Sequence, residues 1–227
     1  MGRGLFIVFE GGDGTGKSTQ LALLEESLRL SNVTHLITHE PGDTWLGLRV
    51  RHLVLDPESG DISPRAEALL YAADKAQHVH EVVLPALEAG TVVVCDRYVD
   101  SMIAYQGAGR ALDSSDMESL AKWATDGLVP DLTILLDAKP EIAVGVMKER
   151  DRLESEALDF HHRVRQGFLK LAEDAPERYL VLTALTSRGG LAADVRNRLV
   201  DFGLDLVEPT ELLAEYEAKA ARKRQQQ

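Results

Sequence analysis

Eight residues near the N-terminus constrain the fold more than any other part of this 227-residue chain. Residues 11–18 read GGDGTGKS and fit the spacing G-x-x-x-x-G-K-[ST]. A short apolar run, residues 5–9, precedes them, and a helical pattern from Ser18 to about Leu30 follows. A strand, a glycine-rich loop and a helix in this order predict a loop whose N–H groups surround an anion at the positive end of a helix.

This loop predicts the binding of a nucleoside triphosphate. Lys17 would supply a full charge to the β- and γ-phosphates, and the Ser18 hydroxyl would ligate Mg²⁺. The alternative is a glycine-rich turn with a chance lysine, which leaves the complete spacing unexplained. The predicted nucleotide-binding residues are Gly11, Gly12, Asp13, Gly14, Thr15, Gly16, Lys17, Ser18 and Thr19.

Short β-branched runs alternate with longer segments of helical apolar spacing. The alternation predicts an α/β fold, a three-layer α/β/α sandwich with a mostly five-stranded parallel sheet. We expect one domain over residues 1–206 and a charged C-terminal tail, helical or frayed, over residues 207–227. The predicted strands are residues 5–9, 33–38, 91–95, 132–136 and 179–183.

Charge and cysteine content exclude several classes of function. The net charge of -12 argues against non-specific binding to nucleic acid or to anionic membrane. The single cysteine, Cys95, excludes an intrachain disulfide framework, and no Cys and His cluster has zinc-ligand spacing. No secretion signal and no run of 18 apolar residues occurs, so we expect a soluble protein of the cytoplasm.

Charged residues follow the third predicted strand. Asp96 comes directly after residues 91–95, at the edge where a carboxylate can hold Mg²⁺ beside a phosphate loop. Arg97 offers a planar fork for a second phosphate. The two residues therefore suggest two phosphorylated ligands, although an ion pair at a strand end is the alternative. Cys95 is expected to pack within the strand.

Several further segments resemble the thymidylate kinase family. They are FEGGDGTGKSTQ at residues 9–20, EPGDT at 40–44, LLYAADKAQHV at 69–79, DRYVDSMIAYQGAGR at 96–110 and DRLESE at 151–156. The resemblance implies a P-loop kinase that transfers a phosphoryl group from ATP to dTMP with Mg²⁺. It also implies a homodimer, and the apolar pattern of residues 64–87 suits either a dimer face or a buried core helix.

The resemblance also implies individual roles in binding dTMP. Asp13 would face the sugar near its 3′-hydroxyl, Arg51 and Arg97 would bind the phosphate, and thymine would stack on Tyr71. Tyr105 would close the space of a ribose 2′-hydroxyl. The other residues predicted to bind dTMP are Glu40, Lys75, Ser101, Met102 and Gln106.

A densely charged segment, about residues 147–156, resembles the family's lid. From charge alone it would be a solvated surface. The resemblance instead implies that the lid supplies an arginine to the transferring phosphoryl group, because Gly14 and Thr15 of the loop supply none. Arg150 and Arg152 are the candidates, with Lys148 third; the predicted catalytic set is Lys17, Arg97, Arg150, Arg152 and Asp13.

The chain also departs from the family pattern in the region expected to bind thymine. Lys75 stands where the family has an arginine, and Met102 stands beside the DRY segment where a polar residue is common. These changes leave two alternatives open: a kinase with relaxed deoxynucleotide specificity, and a nucleotide-binding interaction protein with impaired catalysis. Other departures are His39, Asp43, Trp45 and Leu48.

Overall fold

The protein is described from a computed structural model that covers residues 2–145, 151–184 and 186–224. Five parallel strands form one sheet in the order β2-β3-β1-β4-β5. Each apolar run predicted as a strand is a strand, so the predicted parallel sheet is confirmed. The strands are β1 Phe6–Glu10, β2 His35–His39, β3 Val92–Asp96, β4 Leu132–Asp137 and β5 Tyr179–Thr183.

Helices connect the strands and cover both faces of the sheet. Short 3-10 segments occupy Pro57–Ser59 and Pro176–Arg178, and π-helical segments, Val79–Val83 and Ile103–Gly109, continue two of the α-helices. In the described ranges the α-helices are α1 Lys17–Leu30, α2 Trp45–Leu55, α3 Pro64–His78, α4 Leu84–Glu88, α5 Val99–Met102, α6 Ser114–Ala124, α7 Pro140–Gly145, α8 Leu158–Asp174, α9 Arg188–Val200 and α10 Thr210–Arg224.

The side chains of β1 alternate between two hydrophobic cores. Ile7 and Phe9 pack with α1 and α9 on one face, whereas Phe6 and Val8 pack with the π-helical segment after α3 on the other. Successive side chains of a strand point to opposite faces, so a strand covered on both faces must be apolar throughout. Cys95 of β3 is fully buried in the second core, which confirms its predicted packing role.

The site lies where the carboxyl ends of β1, β3 and β4 meet. β1 is central, with β3 on one side and β4 on the other. The chain leaves β1 towards β2 and later returns to β4 on the opposite side, and ligands bind at such a reversal in open α/β sheets. The register aligns Phe9 with Asp96, so the loops after β1 and β3 start side by side.

The C-terminal segment forms α10 beyond the buried Leu206. α10 lies against α1 and α9. The division of the chain near residue 206 stays a prediction. None of the described helices is long and apolar enough to span a membrane.

Candidate active site

The loop after β1 owes its shape to two glycines. Gly11 has φ 131°, and a Cβ there would collide with the carbonyl oxygen of Leu136 in β4. Gly16 has φ 94° and caps α1 without a side chain. Other residues resist these conformations, so glycine is required where the loop passes the sheet and enters the helix.

Lys17 opens α1 and folds back over the loop. Its Nζ donates to the carbonyl oxygens of Gly11 at 3.1 Å and Gly12 at 2.9 Å. Burial and the nearby Arg97 guanidinium lower the pKa of the Lys17 ammonium. A desolvated ammonium at a helix N-terminus is arranged to bind an anion. A bound phosphate would offset both the loss of hydration and the repulsion by Arg97.

One cleft of about 490 Å³ adjoins this loop and contains most of the predicted site residues. Gly11, Gly12 and Thr15 of the loop do not line it; they line a second cavity of about 30 Å³. The structure therefore brings most of the predicted residues together, while their contacts with nucleotides stay predictions. Those that line the cleft are Asp13, Gly14, Gly16, Lys17, Ser18, Thr19, Glu40, Arg51, Tyr71, Lys75, Asp96, Arg97, Ser101, Met102, Tyr105 and Gln106.

Asp13, Arg97 and Tyr105 form a polar cluster at the centre of the cleft. The Asp13 carboxylate forms an ion pair with Arg97 and accepts the Tyr105 hydroxyl at 2.8 Å. Burial alone would raise the pKa of Asp13, but Arg97 and Lys17 outweigh it and lower the pKa to about 2. Asp13 is therefore a fixed carboxylate at neutral pH, suited to accept a hydrogen bond from a hydroxyl group.

Arg97 reaches this cluster from a strained backbone. Its φ is 68°, a left-handed conformation that costs a non-glycine residue on the order of 1–3 kcal/mol. Nη1 donates to the Gly11 carbonyl at 3.0 Å and to the Ser101 hydroxyl at 3.2 Å. The contact with Gly11 places the guanidinium beside the phosphate loop.

A buried ion-pair network closes the other end of the cleft. Lys75 Nζ donates to Glu40 Oε2 at 2.7 Å, and Glu40 Oε1 lies 2.7 Å from His78 Nδ1. His78 Nε2 lies 2.7 Å from the Thr38 hydroxyl, which donates to Asp43 at 2.5 Å. Both ring nitrogens of His78 are thus hydrogen-bonded, and the ring links Glu40 to the Thr38 hydroxyl.

The network fixes the charge of Glu40. Burial would raise the pKa of Glu40, but Lys75 and His78 outweigh it, so the net shift is downward. In the turn that follows, a cis bond joins Glu40 to Pro41, and Arg51 Nη1 donates to the Pro41 carbonyl at 2.8 Å. The turn and its charged partners thus form one wall of the cleft.

Sequence comparison identifies the family of proteins that share these features. The family model described as thymidylate kinase matches residues 9–194, which is most of the chain and includes every segment of the cleft. The chain belongs to the thymidylate kinase family.

Individual thymidylate kinases match over nearly their full lengths. That of Cutibacterium acnes is 61% identical over 196 residues, 86% of this chain and 96% of the relative. That of Deinococcus radiodurans is 50% identical over 198 residues, with the same two coverages of 86% and 96%. The crystal structure of thymidylate kinase from Ehrlichia chaffeensis superposes with a TM-score of 0.72 at 32% identity, covering 88% of this chain and 100% of that chain. This likeness confirms the predicted P-loop α/β fold.

Arg152, in the segment predicted as the lid, has a different environment from the one expected. Its guanidinium forms an ion pair with Glu67 of α3 and donates to the Val54 carbonyl at 2.9 Å, and it does not line the cleft. The fully buried Glu67 also accepts from Gln106 and Arg110, and a buried carboxylate needs the charges of the two arginines. The catalytic role of Arg152 stays a prediction, and Arg150 and Lys148 lie outside the described residues.

The cleft suits the magnesium ion expected with a kinase. Ser18 and Asp96 both line it, and Asp96 Oδ1 is buried without a hydrogen-bond partner. An unpartnered carboxylate oxygen and a hydroxyl are both oxygen ligands of the kind that Mg²⁺ accepts. Among the described residues no group of three or more His, Cys, Asp or Glu forms a metal cluster, so substrate phosphates and water would complete the coordination.

Sequence reasoning missed four buried titratable residues around this cleft. Each could have been recognised as a candidate, because each is a titratable side chain within an apolar strand or on the buried face of a helix. Glu10 ends β1, and the other three lie on α3 with Tyr71 and Lys75, at spacings of three, four or seven residues. The missed residues are Glu10, Glu67, Asp74 and His78.

Proposed function

We propose that this protein transfers the γ-phosphoryl group of ATP to the 5′-phosphate of dTMP, yielding ADP and dTDP. The observation that carries the proposal is a single cleft in which the phosphate loop faces Arg97, Arg51 and Tyr71. One end of that cleft suits a triphosphate, and the other suits a phosphate attached to a flat base. Membership of the thymidylate kinase family supports the same donor and acceptor.

In the proposed reaction a phosphate oxygen of dTMP attacks the γ-phosphorus in line. A bond forms to that oxygen, and the bond to the β,γ-bridging oxygen breaks as ADP leaves. The attacking oxygen is already anionic, so the protein needs no strong general base. Lys17 and Arg97 would hold the two phosphates close and neutralise them, while Mg²⁺, when bound by Ser18 and Asp96, would supply further charge neutralisation.

The acceptor end offers contacts for a deoxynucleotide. Tyr71 would stack on the base, and the Tyr105 ring, held through its hydroxyl on Asp13, would occupy the space of a 2′-hydroxyl. Lys75 Nζ has one described acceptor, Glu40, which leaves donors for a base carbonyl. Glu40 would therefore hold the ammonium in place where the family commonly has a larger guanidinium. The family comparisons do not favour relaxed specificity or lost catalysis.

We further propose that the protein acts in the cytoplasm as a homodimer. The exposed apolar side chains of two packed helices support a dimer face: Trp45 and Leu48 on α2 are 67% and 60% exposed, and Leu69 on α3 is 58% exposed. Water-exposed apolar groups gathered on neighbouring helices are typical of an interface. The reduced, buried Cys95 suits a reducing compartment.

The test is the coupled release of ADP from MgATP with and without dTMP. We expect release that depends on dTMP and exceeds the rate with dUMP, and Lys17→Ala should reduce it about a thousandfold or more. Lys122→Ala, on the exposed face of α6, is the matched control and should keep the wild-type rate. Absence of dTMP-dependent ADP in folded protein, or an active Lys17→Ala variant, would refute the proposal.

A further inference from the structure

A buried carboxylate that takes no part in the proposed chemistry stands directly before the phosphate loop. Glu10 is the last residue of β1 and is fully buried. Its Oε1 accepts the backbone N–H groups of Tyr98 at 2.8 Å and Ser101 at 3.1 Å. Its Oε2 accepts the Ser101 hydroxyl at 2.5 Å. All three donors come from the segment that follows β3, so Glu10 joins that segment to the strand that leads into the loop.

The same segment carries the strained Arg97. Ser101 Oγ donates its proton to Glu10 and accepts Arg97 Nη1 at 3.2 Å, so a directed chain of hydrogen bonds runs from the guanidinium to the carboxylate. Tyr98, whose N–H is bound by Glu10, is the residue next to Arg97. Glu10 therefore restrains the guanidinium through its side chain and through the adjoining backbone. A purely structural carboxylate that caps α5 would need only the N–H contacts.

We propose that Glu10 is a positioning residue that holds Arg97 in reach of the acceptor phosphate, and that its ionised form is required for tight binding of dTMP. The inference rests on the proposed function, since it assigns an acceptor phosphate to Arg97. Protonating Glu10 would place a proton on the oxygen that now accepts the Ser101 hydroxyl, which would reverse that hydrogen bond and release Ser101 from its present orientation.

The surroundings of Glu10 make this protonation accessible near neutral pH. Burial and the neighbouring Asp100 carboxylate raise the pKa of Glu10 to about 7, against the opposing effect of Arg97 and the hydrogen bonds. The ionised, fully hydrogen-bonded form should therefore dominate above neutrality and be lost as the pH falls through 7. The charged or titratable groups that face Glu10 are Arg97 and Asp100, Lys17 of α1, Lys75 of α3, Cys95 of β3 and Tyr179 of β5.

The variant Glu10→Gln keeps the shape of the side chain and removes its charge. Steady-state kinetics should show a KM for dTMP raised about tenfold or more at about pH 8.5, because the hydrogen bond from the Ser101 hydroxyl to a charged carboxylate is lost. The KM for ATP should stay within about twofold, since Glu10 forms no hydrogen bond with Lys17, the cation expected to bind the phosphates of ATP. Glu25→Gln, on the exposed side of α1, removes the same charge and should change neither constant.

The pH profile separates positioning from simple structural support. The ratio of wild-type to Glu10→Gln kcat/KM for dTMP should fall from about ten towards one between about pH 8.5 and pH 6, as wild-type Glu10 becomes neutral. The second ionisation of dTMP itself, near pH 6, affects both proteins and cancels in the ratio.

Three outcomes would overturn the inference: an unchanged KM for dTMP in folded Glu10→Gln, equal increases in both KM values, or a ratio that does not vary with pH. If Glu10→Gln does not fold, Glu10→Asp keeps the charge and withdraws it by one methylene. That variant should raise the KM for dTMP alone, and an unchanged value would also overturn the inference. A wild-type protein without dTMP-dependent activity would instead refute the proposed function.

Discussion

Gly47, near the start of α2, offers a sharp test of how the turn after Glu40 is held in the wall of the cleft. A Cβ at this position would lie 2.5 Å from Asp74 Oδ1 and 3.0 Å from the Thr44 hydroxyl. Asp74 is fully buried, and the same Oδ1 accepts the Gly42 N–H at 3.1 Å. Gly47→Ala therefore cannot be accommodated unless Asp74 moves, and when Asp74 moves the turn after Glu40 loses its hydrogen bond.

The cost can be worked out from these contacts. Overpacking a filled site costs about 1–3 kcal/mol. Leaving buried partners unpaired costs about 1–3 kcal/mol more. Replacing glycine by alanine within a helix returns about 1 kcal/mol at most. The net loss is therefore about 3 kcal/mol, which for a chain of this length lowers the melting temperature by roughly 6–12 °C.

Urea and thermal unfolding of Gly47→Ala would measure this loss directly. Gly190→Ala in α9 is the matched control, because its Cβ would meet only ordinary contacts, at 3.6 Å or more, and so should be neutral or slightly stabilising. We also expect a higher KM for dTMP in Gly47→Ala, since Gly42 adjoins the turn that lines the cleft. A Gly47→Ala protein as stable as wild type, with Gly190→Ala also unchanged, would refute the reasoning.

Two further predictions concern the third strand. Burial raises the pKa of the Cys95 thiol well above its usual range. A thiol reagent should therefore not modify the native protein at neutral pH, and should modify one thiol per chain in urea. Rapid modification of the native protein would contradict the packing described. Asp96→Asn should raise the Mg²⁺ concentration for half-maximal turnover about 10–100-fold, because the unpartnered Oδ1 loses its charge. A magnesium titration that matches wild type would contradict the proposed role of Asp96 in binding Mg²⁺.

Local sequence predicted the sheet and the phosphate loop well, for a physical reason. A strand buried on both faces must be apolar throughout, and a loop that surrounds an anion needs glycine at positions 11 and 16. Both features can therefore be recognised from residues that are consecutive in the chain. The residues predicted around the cleft were also brought together by the fold, although the segments that carry them lie far apart in the chain.

The ion pairs between those segments could not be predicted in the same way. Lys75 was expected to contact the base, and in the fold it also pairs with Glu40. Arg152 was expected to act from the lid, and in the fold it pairs with Glu67. A charged residue in a helical pattern predicts only that its side chain will contact a partner or water. Which partner it finds depends on how the helix is rotated and what packs against it.

The sequence by itself therefore determined the parallel sheet, the phosphate loop and the family, since these depend on contiguous patterns. Only the tertiary structure decided how Glu10 is placed against Ser101, and how His78 completes a buried network with Glu40. Such contacts join residues far apart in the chain, and their strength comes from excluding water. Burial of that kind exists only once the sheet and its helices have packed together.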